Sequence, residues 1–402
     1  MRILMIAPEP FFEPRGTPFS EFHRIRALTA LGHQVDLVTY PFGQDVEMPG
    51  LRVVRALRPP FISRVKIGPS FAKVPLDLLL TLTACRMAMT RRYDVVHSHE
   101  EGGIIGVVLA WLCRVPHLYD MHSSLPQQLT NFAFTGSALL RGLFRWLERA
   151  MIAGSRVVIV ICPALEETVR QTAPSAQIVL IENAPGSSDA PATNDAVAAV
   201  RRHHGIAADA PLVLYTGTFE AYQGLDLLWD AMALVVRQRP AARVLIAGGK
   251  SDQVTRARAA ATQAGLGDAV VFAGERPAAE IPAYLAACDV LVSPRSRGTN
   301  TPLKIYQYLR SGRPIVATRL LTHTQVLDDA TAVLTEPTAA AFAAGVVHVI
   351  DDRADGARRA AAAVAVAETK YSYEAYLEKT KRACALLGVP SAPDGIAVAE
   401  GV

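Results

Sequence analysis

Four titratable side chains lie near the ends of two short apolar runs in the first half of the chain. His97 and His99 end one run, and Asp120 and His122 lie near the end of the next. Parallel strands carry their carboxyl ends at one sheet edge, which is where open α/β sheets bind ligands. We therefore expect a ligand site here, with His122 as a contact and His97 as either a site residue or a structural partner. Metal ligation is the weaker alternative, because these spacings match no zinc pattern.

A lysine at the start of a predicted helix is the second chemical signal. In the segment 296–318, Thr301 is typical of an N-cap, Pro302 of the first helical position and Gly312 of a helix stop. Lys304 would then oppose the helix dipole at a cost of roughly 0.3–1 kcal/mol. Free amides at a helix start, beside a cation, suit a bound diphosphate. The alternative is that Lys304 extends into solvent.

Three more polar residues flank that helix start. Arg295 and Arg297 precede it in the loop, and Gln307 follows Lys304 by one helical turn. Together they predict an anion site at the carboxyl end of a strand. In the plainer alternative, the two arginines face water.

A similar helix start occurs in the first half of the chain. Gly16 precedes Thr17 and Pro18, and the helix they open is expected to stop at Gly32. Here Glu21 is interpreted as a first-turn acid that satisfies the helix dipole, so an anion is less needed. Gly16 would let the backbone approach a ligand closely, although a plain tight turn is nearly as good an explanation.

Short apolar runs alternate with helical patterns in two series along the chain. Such runs predict a parallel sheet that is covered on both faces. We therefore predict two Rossmann-like α/β domains facing a central cleft. The runs of the first series are 2–8, 34–40, 94–99, 116–124 and 156–163, and those of the second are 211–219, 242–249, 269–274, 289–295 and 314–318.

A stretch rich in Ala, Pro, Ser and Asp separates the two series and is interpreted as a linker. Near the end of the chain, an amphipathic pattern predicts one further helix outside the second sheet. The predicted order is a domain at 1–185, a linker at 186–210, a domain at 211–370, the helix at 371–388 and a tail at 389–402.

Composition and missing motifs argue against several classes of protein. The 402 residues carry a net charge of +4 without a basic and aromatic stripe, so we expect no nucleic-acid partner. Five scattered cysteines form no C-x-x-C pair, and no G-x-G-x-x-G follows the first strand, which disfavours zinc and nicotinamide dinucleotide sites. The N-terminal apolar run is too short for a signal peptide, and the run 104–113 is half of the ~20 residues of a membrane span. We expect a soluble cytoplasmic protein.

Taken in order, these stretches resemble the family 4 glycosyltransferases, which are retaining GT-B enzymes with nucleotide-sugar donors. The resemblance implies an acceptor-binding first domain, a donor-binding second domain and a last helix that crosses back to the first domain. It also implies a nucleotide-diphosphate sugar as co-substrate and no cofactor; a metal is disfavoured because the chain has no D-x-D tripeptide. The resemblance covers nearly the whole chain and is carried by GTPFSEFHRIRALTALGHQVDLVTY, YDVVHSHE, HLYDMHSS, VIVICPALEE, IENAP, VLYTGTFEAYQGLDLLWDA, VLIAGG, VVFAGERPAAEIPAYLAACDVLVSPR and the segment 296–318.

The resemblance assigns roles at the reacting centre. His122 matches the family histidine that contacts the transferred sugar, and Gly16 matches the glycine loop beside it. With Lys304, these are the expected catalytic residues. The acceptor is expected to be a hydroxyl of a glycolipid, a polysaccharide or a small molecule. The further acceptor-side residues expected are Arg15, Thr17, His97, His99 and Asp120.

The donor site is expected in the second domain. Glu275 and Arg276 match the place where backbone groups hold the nucleotide base. The remaining donor-binding residues expected are Arg295, Arg297, Thr299, Asn300, Thr301, Pro302, Leu303, Gln307, Lys250, Thr218 and Gln223.

The chain departs from the family pattern at four of those positions. The family usually has two glutamates separated by seven residues, where this chain has Thr299 and Gln307, and it tends to place cations where this chain has Thr218 and Gln223. Lys304 is predicted to take over the work of the missing cations. The alternatives are a noncatalytic sugar-nucleotide-binding or scaffold protein with a degenerate donor site, and another GT-B-like enzyme such as an epimerase.

A basic and apolar segment at 58–80 raises the question of a membrane partner. It mixes Arg58, Arg64, Lys66 and Lys73 with large apolar residues. Such a segment could rest on an anionic membrane surface beside a lipid-linked acceptor, which would make the protein peripheral to a membrane. The alternative is a partly packed loop with solvated basic residues.

Overall fold

The computed structural model describes residues 1–12, 16–62, 65, 73–126, 138–183 and 192–389. The chain divides into two compact units. Unit 1 comprises Met1–Asn183 together with Tyr376–Val402, and unit 2 comprises Ala184–Ala375. No helix in the described part of the chain is long and apolar enough to cross a membrane.

Unit 1 contains a seven-stranded parallel sheet in the order β3-β2-β1-β4-β5-β6-β7. Most of its strands are short runs of Val, Ile and Leu that are buried on both faces, as helices cover both sides of a parallel sheet. The strands are β1 Arg2–Ala7, β2 Gln34–Thr39, β3 Leu51–Arg55, β4 Val95–His99, β5 His117–Met121, β6 Val157–Val160 and β7 Ile178–Leu180.

The described helices of unit 1 form two layers around that sheet. Along β1, Ile3 and Met5 pack into one core cluster, and Leu4 and Ile6 into another, as expected when alternate side chains face opposite sides. The helices are α1 Gly16–Ala30, α2 Lys73–Thr90, α3 Gly102–Cys113, α4 Ala138–Ala153 and α5 Pro163–Thr172, joined by the C-terminal helix α14 Tyr373–Leu386.

Unit 2 repeats this architecture with a six-stranded parallel sheet in the order β10-β9-β8-β11-β12-β13. Its strands are β8 Leu212–Thr216, β9 Arg243–Ala247, β10 Val270–Gly274, β11 Val290–Ser293, β12 Ile315–Thr318 and β13 Val333–Thr335. Its α-helices are α6 Asn194–His203, α7 Leu225–Gln238, α8 Ser251–Gln263, α9 Ile281–Ala287, α10 Leu303–Arg310, α11 Leu321–Thr324, α12 Ala339–Asp351 and α13 Arg353–Lys370.

Each sheet has one point at which the strand order reverses. In unit 1 the reversal lies between β1 and β4, and in unit 2 between β8 and β11. The two loops that leave such neighbouring strands diverge to opposite faces of the sheet, so a crevice opens at their carboxyl ends. These two switch points position the residues described below.

The predicted two-domain α/β architecture is confirmed, and the C-terminal helix groups with unit 1 from Tyr376 onward. The region predicted as a linker contains helix α6, whose N-cap Thr193 accepts a hydrogen bond from the Ala196 amide at 3.3 Å. Its alanine-rich sequence hid the helical pattern. Three strands at sheet edges, β3, β7 and β13, were not anticipated, because edge strands of three to five residues carry only a weak apolar signal.

Candidate functional site

Asp120 is the centre of a buried polar network at the switch point of unit 1. Its Oδ2 accepts a hydrogen bond from Arg24 Nε at 2.8 Å, and both side chains are almost completely buried. His122 Nε2 lies 3.3 Å from Asp120 Oδ1, and His97 Nε2 lies 3.7 Å from Oδ2. His99 Nδ1 is 3.2 Å from His122 Nε2. The four residues predicted at these strand ends are therefore brought together.

Burial and the Asp120–Arg24 ion pair decide the charges in this network. Burial alone would raise the pKa of the Asp120 carboxyl, but the Arg24 guanidinium and the neighbouring histidines hold it well below its ordinary value. Burial lowers the pKa of His122, and Asp120 only partly offsets this. The pKa values of His97 and His99 are lowered for the same reason. At neutral pH the network is an ionised Asp–Arg pair flanked by neutral imidazoles.

The same residues also test the metal alternative. His97, His99 and Asp120 could each offer one ligand atom within 4.8 Å of the others. However, Arg24 Nε donates to the Asp120 oxygen that faces both histidines, at 2.8 Å. A fixed guanidinium there already supplies the positive charge that a metal ion would bring, so the donor set fits an ion-pair network better than a metal centre.

The N-terminal end of α1 differs from its sequence interpretation. The helix begins at Gly16, which has a φ of +57° and no atom within 4 Å of the position a Cβ would take. Thr17 is half-buried, and Arg15 lies outside the described residues. Glu21 is in the second turn and fully buried, and burial together with Glu9 raises its pKa well above the ordinary value. Its interpretation as a first-turn acid that satisfies the dipole was therefore wrong.

Two polar residues of unit 1, Arg24 and Glu100, were not anticipated from the sequence. Arg24 lies one turn beyond Glu21 on the buried face of α1, and its guanidinium also contacts Thr380 Oγ1 at 3.3 Å and lies over the Tyr376 ring. Glu100 follows β4 with a φ of +47°, a region where non-glycine residues are uncommon. The sequence did carry one signal for Arg24, because this arginine lies among apolar residues on the side of α1 that packs on the sheet.

Lys304 occupies the switch point of unit 2, one position earlier in its helix than predicted. The N-cap of α10 is Pro302 and not Thr301, and no side chain caps the helix. The Lys304 side chain is 8% exposed. Its Nζ lies 3.9 Å from the centre of the Tyr215 ring and donates to Gln223 Oε1 at 3.5 Å. The alternative in which Lys304 extends into solvent is therefore wrong.

The Lys304 ammonium has no carboxylate partner among the described residues. Burial, with the nearby Arg295 guanidinium, lowers its pKa well below the ordinary lysine value. A buried cation that contacts only an aromatic face and an amide oxygen is costly to the folded protein. Such a charge is compensated most effectively by an anion that arrives with a ligand.

Close contact between two loops brings Gln223 to Lys304. Gly224 has a φ of +76°, and a Cβ there would lie 1.9 Å from the Pro294 carbonyl oxygen. The Ser296 amide donates to the Tyr222 carbonyl at 3.1 Å, so the loop after β8 packs on the loop after β11. Glycine is required at this position, and it places the side chain of its neighbour Gln223 beside the ammonium.

Arg295 supports the loop before α10. Its Nη1 donates to the Asn300 carbonyl at 2.6 Å and to Thr322 Oγ1 at 2.7 Å. The guanidinium lies 4.9 Å from the centre of the Tyr222 ring, and burial lowers its pKa. Arg295 therefore holds the Asn300 backbone in place while adding positive charge near Lys304.

The other predicted donor residues fall into three groups. Arg297 and Lys250 are exposed, and their contacts with the donor diphosphate stay predictions. Gln307 is also exposed on α10, whereas Lys304 is buried. The residues that lie around the helix start are Thr218, whose Oγ1 accepts from Gln223 Nε2 at 3.4 Å, Thr299, whose carbonyl accepts from Gln325 at 2.6 Å, and the buried or half-buried Thr301, Pro302 and Leu303.

A separate cavity lies at the ends of β9 and β10. It has a volume of about 570 Å³, and its lining includes Glu275 and Arg276. Arg276 donates from Nε and Nη2 to the Ala273 carbonyl at 2.9 and 2.7 Å, which folds its side chain back on the strand end. The Arg258 guanidinium lies 5.0 Å from the centre of the Phe272 ring on the same lining. The cavity is large enough for a nucleoside.

Comparisons with known proteins agree with this division of the chain. The family model for a glycosyl transferase 4-like domain matches residues 23–184, and that for glycosyl transferases group 1 matches residues 210–352. A D-inositol 3-phosphate glycosyltransferase of Xylanimonas cellulosilytica is 27% identical over 393 residues, which cover 89% of this chain and 90% of that protein.

Solved structures give the same fold. The sucrose-phosphate synthase of Thermosynechococcus elongatus superposes with a TM-score of 0.76 at 22% identity, over 96% of this chain and 99% of that one. HepE of Anabaena in complex with UDP-glucose gives a TM-score of 0.73 at 18% identity, over 96% and 99% of the two chains. With one matched model on each unit and the GT-B fold throughout, the chain belongs to the family 4 glycosyltransferases and is an enzyme of the glycosyltransferase class.

Proposed function

We propose that this chain transfers a sugar from a nucleotide-diphosphate sugar to an acceptor hydroxyl, with retention of anomeric configuration and without a metal or cofactor. Lys304 is the observation that carries the proposal. It is a buried ammonium at a switch point, it has no carboxylate partner among the described residues, and it lies in the first turn of a helix whose start no side chain caps. A diphosphate fits this combination of charge and free amides.

Lys304 replaces cations that the family tends to place elsewhere. Thr218 and Gln223 stand at those positions here, and Gln223 Oε1 accepts from Lys304 Nζ at 3.5 Å. The Lys304 ammonium, which belongs to the helix after β11, therefore lies beside the loop after β8 where the family tends to place its cations. Because one lysine serves where two cations are usual, removing Lys304 should have an unusually large effect on donor binding.

The rest of the donor has room in unit 2. The nucleotide base is assigned to the 570 Å³ cavity beside Glu275 and Arg276. Gln307 is exposed on α10 and can form neutral hydrogen bonds with ribose hydroxyls. The structural similarity to HepE, which was solved with UDP-glucose, supports a nucleotide sugar as the ligand class.

Unit 1 would bind the acceptor and contact the transferred sugar through His122. With its pKa lowered by burial, the imidazole is neutral and can hydrogen-bond with a sugar hydroxyl. Asp120 and His99 hold its orientation through Nε2. We assign it a positioning and stabilising contact, and no general base.

The reaction proceeds by breaking the bond between the anomeric carbon and the diphosphate oxygen. An oxocarbenium-like sugar remains, and the acceptor hydroxyl attacks its anomeric carbon from the side that the diphosphate leaves. The hydroxyl proton passes to the departing diphosphate, so the products are the glycoside and a nucleoside diphosphate. Lys304 and the α10 amides stabilise the charge that develops on the leaving group, a contribution that is worth about 10²–10³ in rate for one donor in comparable sites.

Calorimetry with a panel of nucleotides and nucleotide sugars, in the presence of chelator, tests the proposal. We expect one diphosphonucleoside family to bind, and we expect Lys304→Glu and Lys304→Met to abolish that binding. Arg237→Glu is the matched control, because this arginine of unit 2 is exposed in the last turn of α7 and is not among the expected donor residues. No binding across the panel by a folded protein would favour a noncatalytic protein, and unchanged affinity in Lys304→Met would refute the role of Lys304.

Transfer and its stereochemistry need a second measurement. Once a donor is known, incubation with candidate acceptors and NMR of the product should show the anomeric configuration of the donor. An inverted product would contradict retention, and a donor that is converted to another sugar nucleotide without transfer would indicate an epimerase.

A further inference from the structure

The large apolar side chains that unit 1 exposes are concentrated on three helices. Of the thirteen exposed large apolar residues among those described, ten lie on α2, α3 and α4, and only Leu321 lies in unit 2. Scattered exposed apolar residues need no explanation, but such a concentration does. The ten, which we call the apolar face, are Val74, Leu78, Leu82, Met89, Val108, Trp111, Leu112, Leu139, Leu143 and Trp146.

The three helices lie side by side on one face of the sheet. Helix α2 packs beside α3, and α3 packs beside α4. Their inner sides pack on the same sheet face: Leu4 and Val96 contact α2 and α3, and Tyr119 and Val158 contact α4. The outer sides of the three helices therefore form one layer.

On two of these helices the exposed residues follow the helical repeat. Val74, Leu78, Leu82 and Met89 fall within an arc of about 80° on α2, at 100° per residue. Their exposed fractions run from 58% to 81%. Each helix is thus apolar on two sides, one of which the sheet covers and one of which nothing in the described chain covers.

The exposed charged residues on the three helices all carry positive charge. Exposed arginines on or next to these helices are Arg86, Arg91, Arg92, Arg114, Arg141, Arg145 and Arg149. No exposed acid occurs on the three helices as described. Asp77 is partly buried and accepts from the Tyr40 hydroxyl, and Glu148 is buried and accepts from the Leu125 amide at 2.8 Å.

We propose that the apolar face docks on an anionic lipid bilayer. Tryptophan and arginine suit the boundary between acyl chains and phosphate headgroups, and clustered basic residues are attracted to anionic lipids. A symmetric dimer through the same face would place its arginines against their own copies, and no exposed acid is present there to relieve the repulsion. The surface differs from the segment 58–80 that sequence indicated: Arg64, Lys66 and Phe71 lie outside the described residues, and Lys73 is paired with Glu101 at 2.7 Å.

This inference goes beyond the proposed function and does not depend on it. A bilayer on unit 1 would present a lipid-linked acceptor to the unit that we assign to the acceptor. Binding to vesicles requires neither a donor nor turnover. The two proposals can therefore fail separately.

Co-sedimentation of the full chain with vesicles tests the docking. We expect binding to vesicles of phosphatidylcholine with phosphatidylglycerol, weaker binding to pure phosphatidylcholine, and weakening at high salt. Replacing Arg141, Arg145 and Arg149 by Ser should lower the partition coefficient roughly a hundredfold, at about fivefold per arginine. Replacing Trp111 and Trp146 by Ser should lower it at least tenfold.

The matched control replaces three exposed arginines of unit 2, Arg202, Arg237 and Arg353, by Ser, and should leave binding unchanged. Hydrogen exchange of peptides from the unit 1 sheet should be the same in these variants as in the wild type, which shows that unit 1 still folds. Absence of binding to anionic vesicles would overturn the proposal. An equal loss of vesicle binding in the control variant would also overturn it. The same holds if sedimentation analysis shows that the wild type is a dimer and the tryptophan variant a monomer.

Discussion

The two switch points of this chain handle buried charge in opposite ways. In unit 1, Arg24 and Asp120 neutralise each other at 2.8 Å, and the flanking histidines are neutral. In unit 2, the Lys304 ammonium is also buried, but its contacts within the described chain are the Tyr215 ring and the Gln223 amide. A site with internally balanced charge suits a neutral sugar and its hydroxyls, whereas an unbalanced cation suits an anionic diphosphate.

Removing one charge from each switch point should change stability in opposite directions. We expect Arg24→Met to lower the free energy of unfolding of unit 1 by about 3–5 kcal/mol, because it leaves the Asp120 carboxylate buried and unpaired. Lys304→Met should raise that of unit 2 by roughly 1 kcal/mol, because the burial penalty of the ammonium disappears. Hydrogen exchange resolved by peptide would report on each unit. Equal destabilisation by both variants would contradict the difference in charge balance between the two switch points.

Replacing His122 by Ala should separate chemistry from donor binding. We expect kcat to fall about a hundredfold, because one contact to the reacting sugar is lost. The nucleotide affinity should remain within about twofold, since the diphosphate binds at Lys304. Steady-state kinetics with calorimetry would measure both. A loss of nucleotide affinity that matches the loss in kcat would contradict the division of work between the units.

Each unit also contains a buried histidine with a hydrogen-bond partner on each ring nitrogen, and these two should respond alike to acid. Burial lowers the pKa of His117 to about 3, and burial does the same for His323. Each imidazole stays neutral in the folded state but is protonated in the unfolded chain below pH 6.5, so its contribution to stability is complete above pH 6.5 and is lost as the pH falls toward 3.

The expected loss is about 2 kcal/mol per histidine between pH 8 and pH 5. Because other groups titrate in the same range, the measurement is the difference between wild type and a His117→Asn or His323→Asn variant, followed by hydrogen exchange in the relevant unit. A variant whose pH dependence equals that of the wild type would show that its histidine already titrates normally in the folded protein.

The smallest expected effect concerns Gln307. Replacing this exposed residue by Ala should weaken nucleotide binding about fivefold, the size of one or two neutral hydrogen bonds to the ribose. Stability should not change. Deoxyribose nucleotides provide the check, because the wild type should lose affinity for them and the variant should not. An equal loss in both proteins would remove Gln307 from the ribose site.

Both candidate sites could be predicted from the sequence because each depends on local order. Strand ends in a parallel sheet must meet at one edge, so His97, His99, Asp120 and His122 could be grouped from their positions in two apolar runs. Lys304 was conspicuous because helix starts favour acids. The exact start of α10 was missed by one residue, since Thr301 followed by Pro302 mimics a capping pair whose side chain in fact caps nothing.

What the sequence determined by itself was the two-domain parallel architecture and the rows of polar residues at its strand ends, since period, apolar runs and helix signals are local properties. Only the tertiary structure decided which charges are paired. Arg24 and Asp120 are 96 positions apart, and Lys304 and Gln223 are 81 apart, so their contacts depend on how helices and loops pack on each sheet. The apolar face was also decided by the tertiary structure. Each of its helices has two apolar sides, and the sequence alone does not tell which of them packs on the sheet.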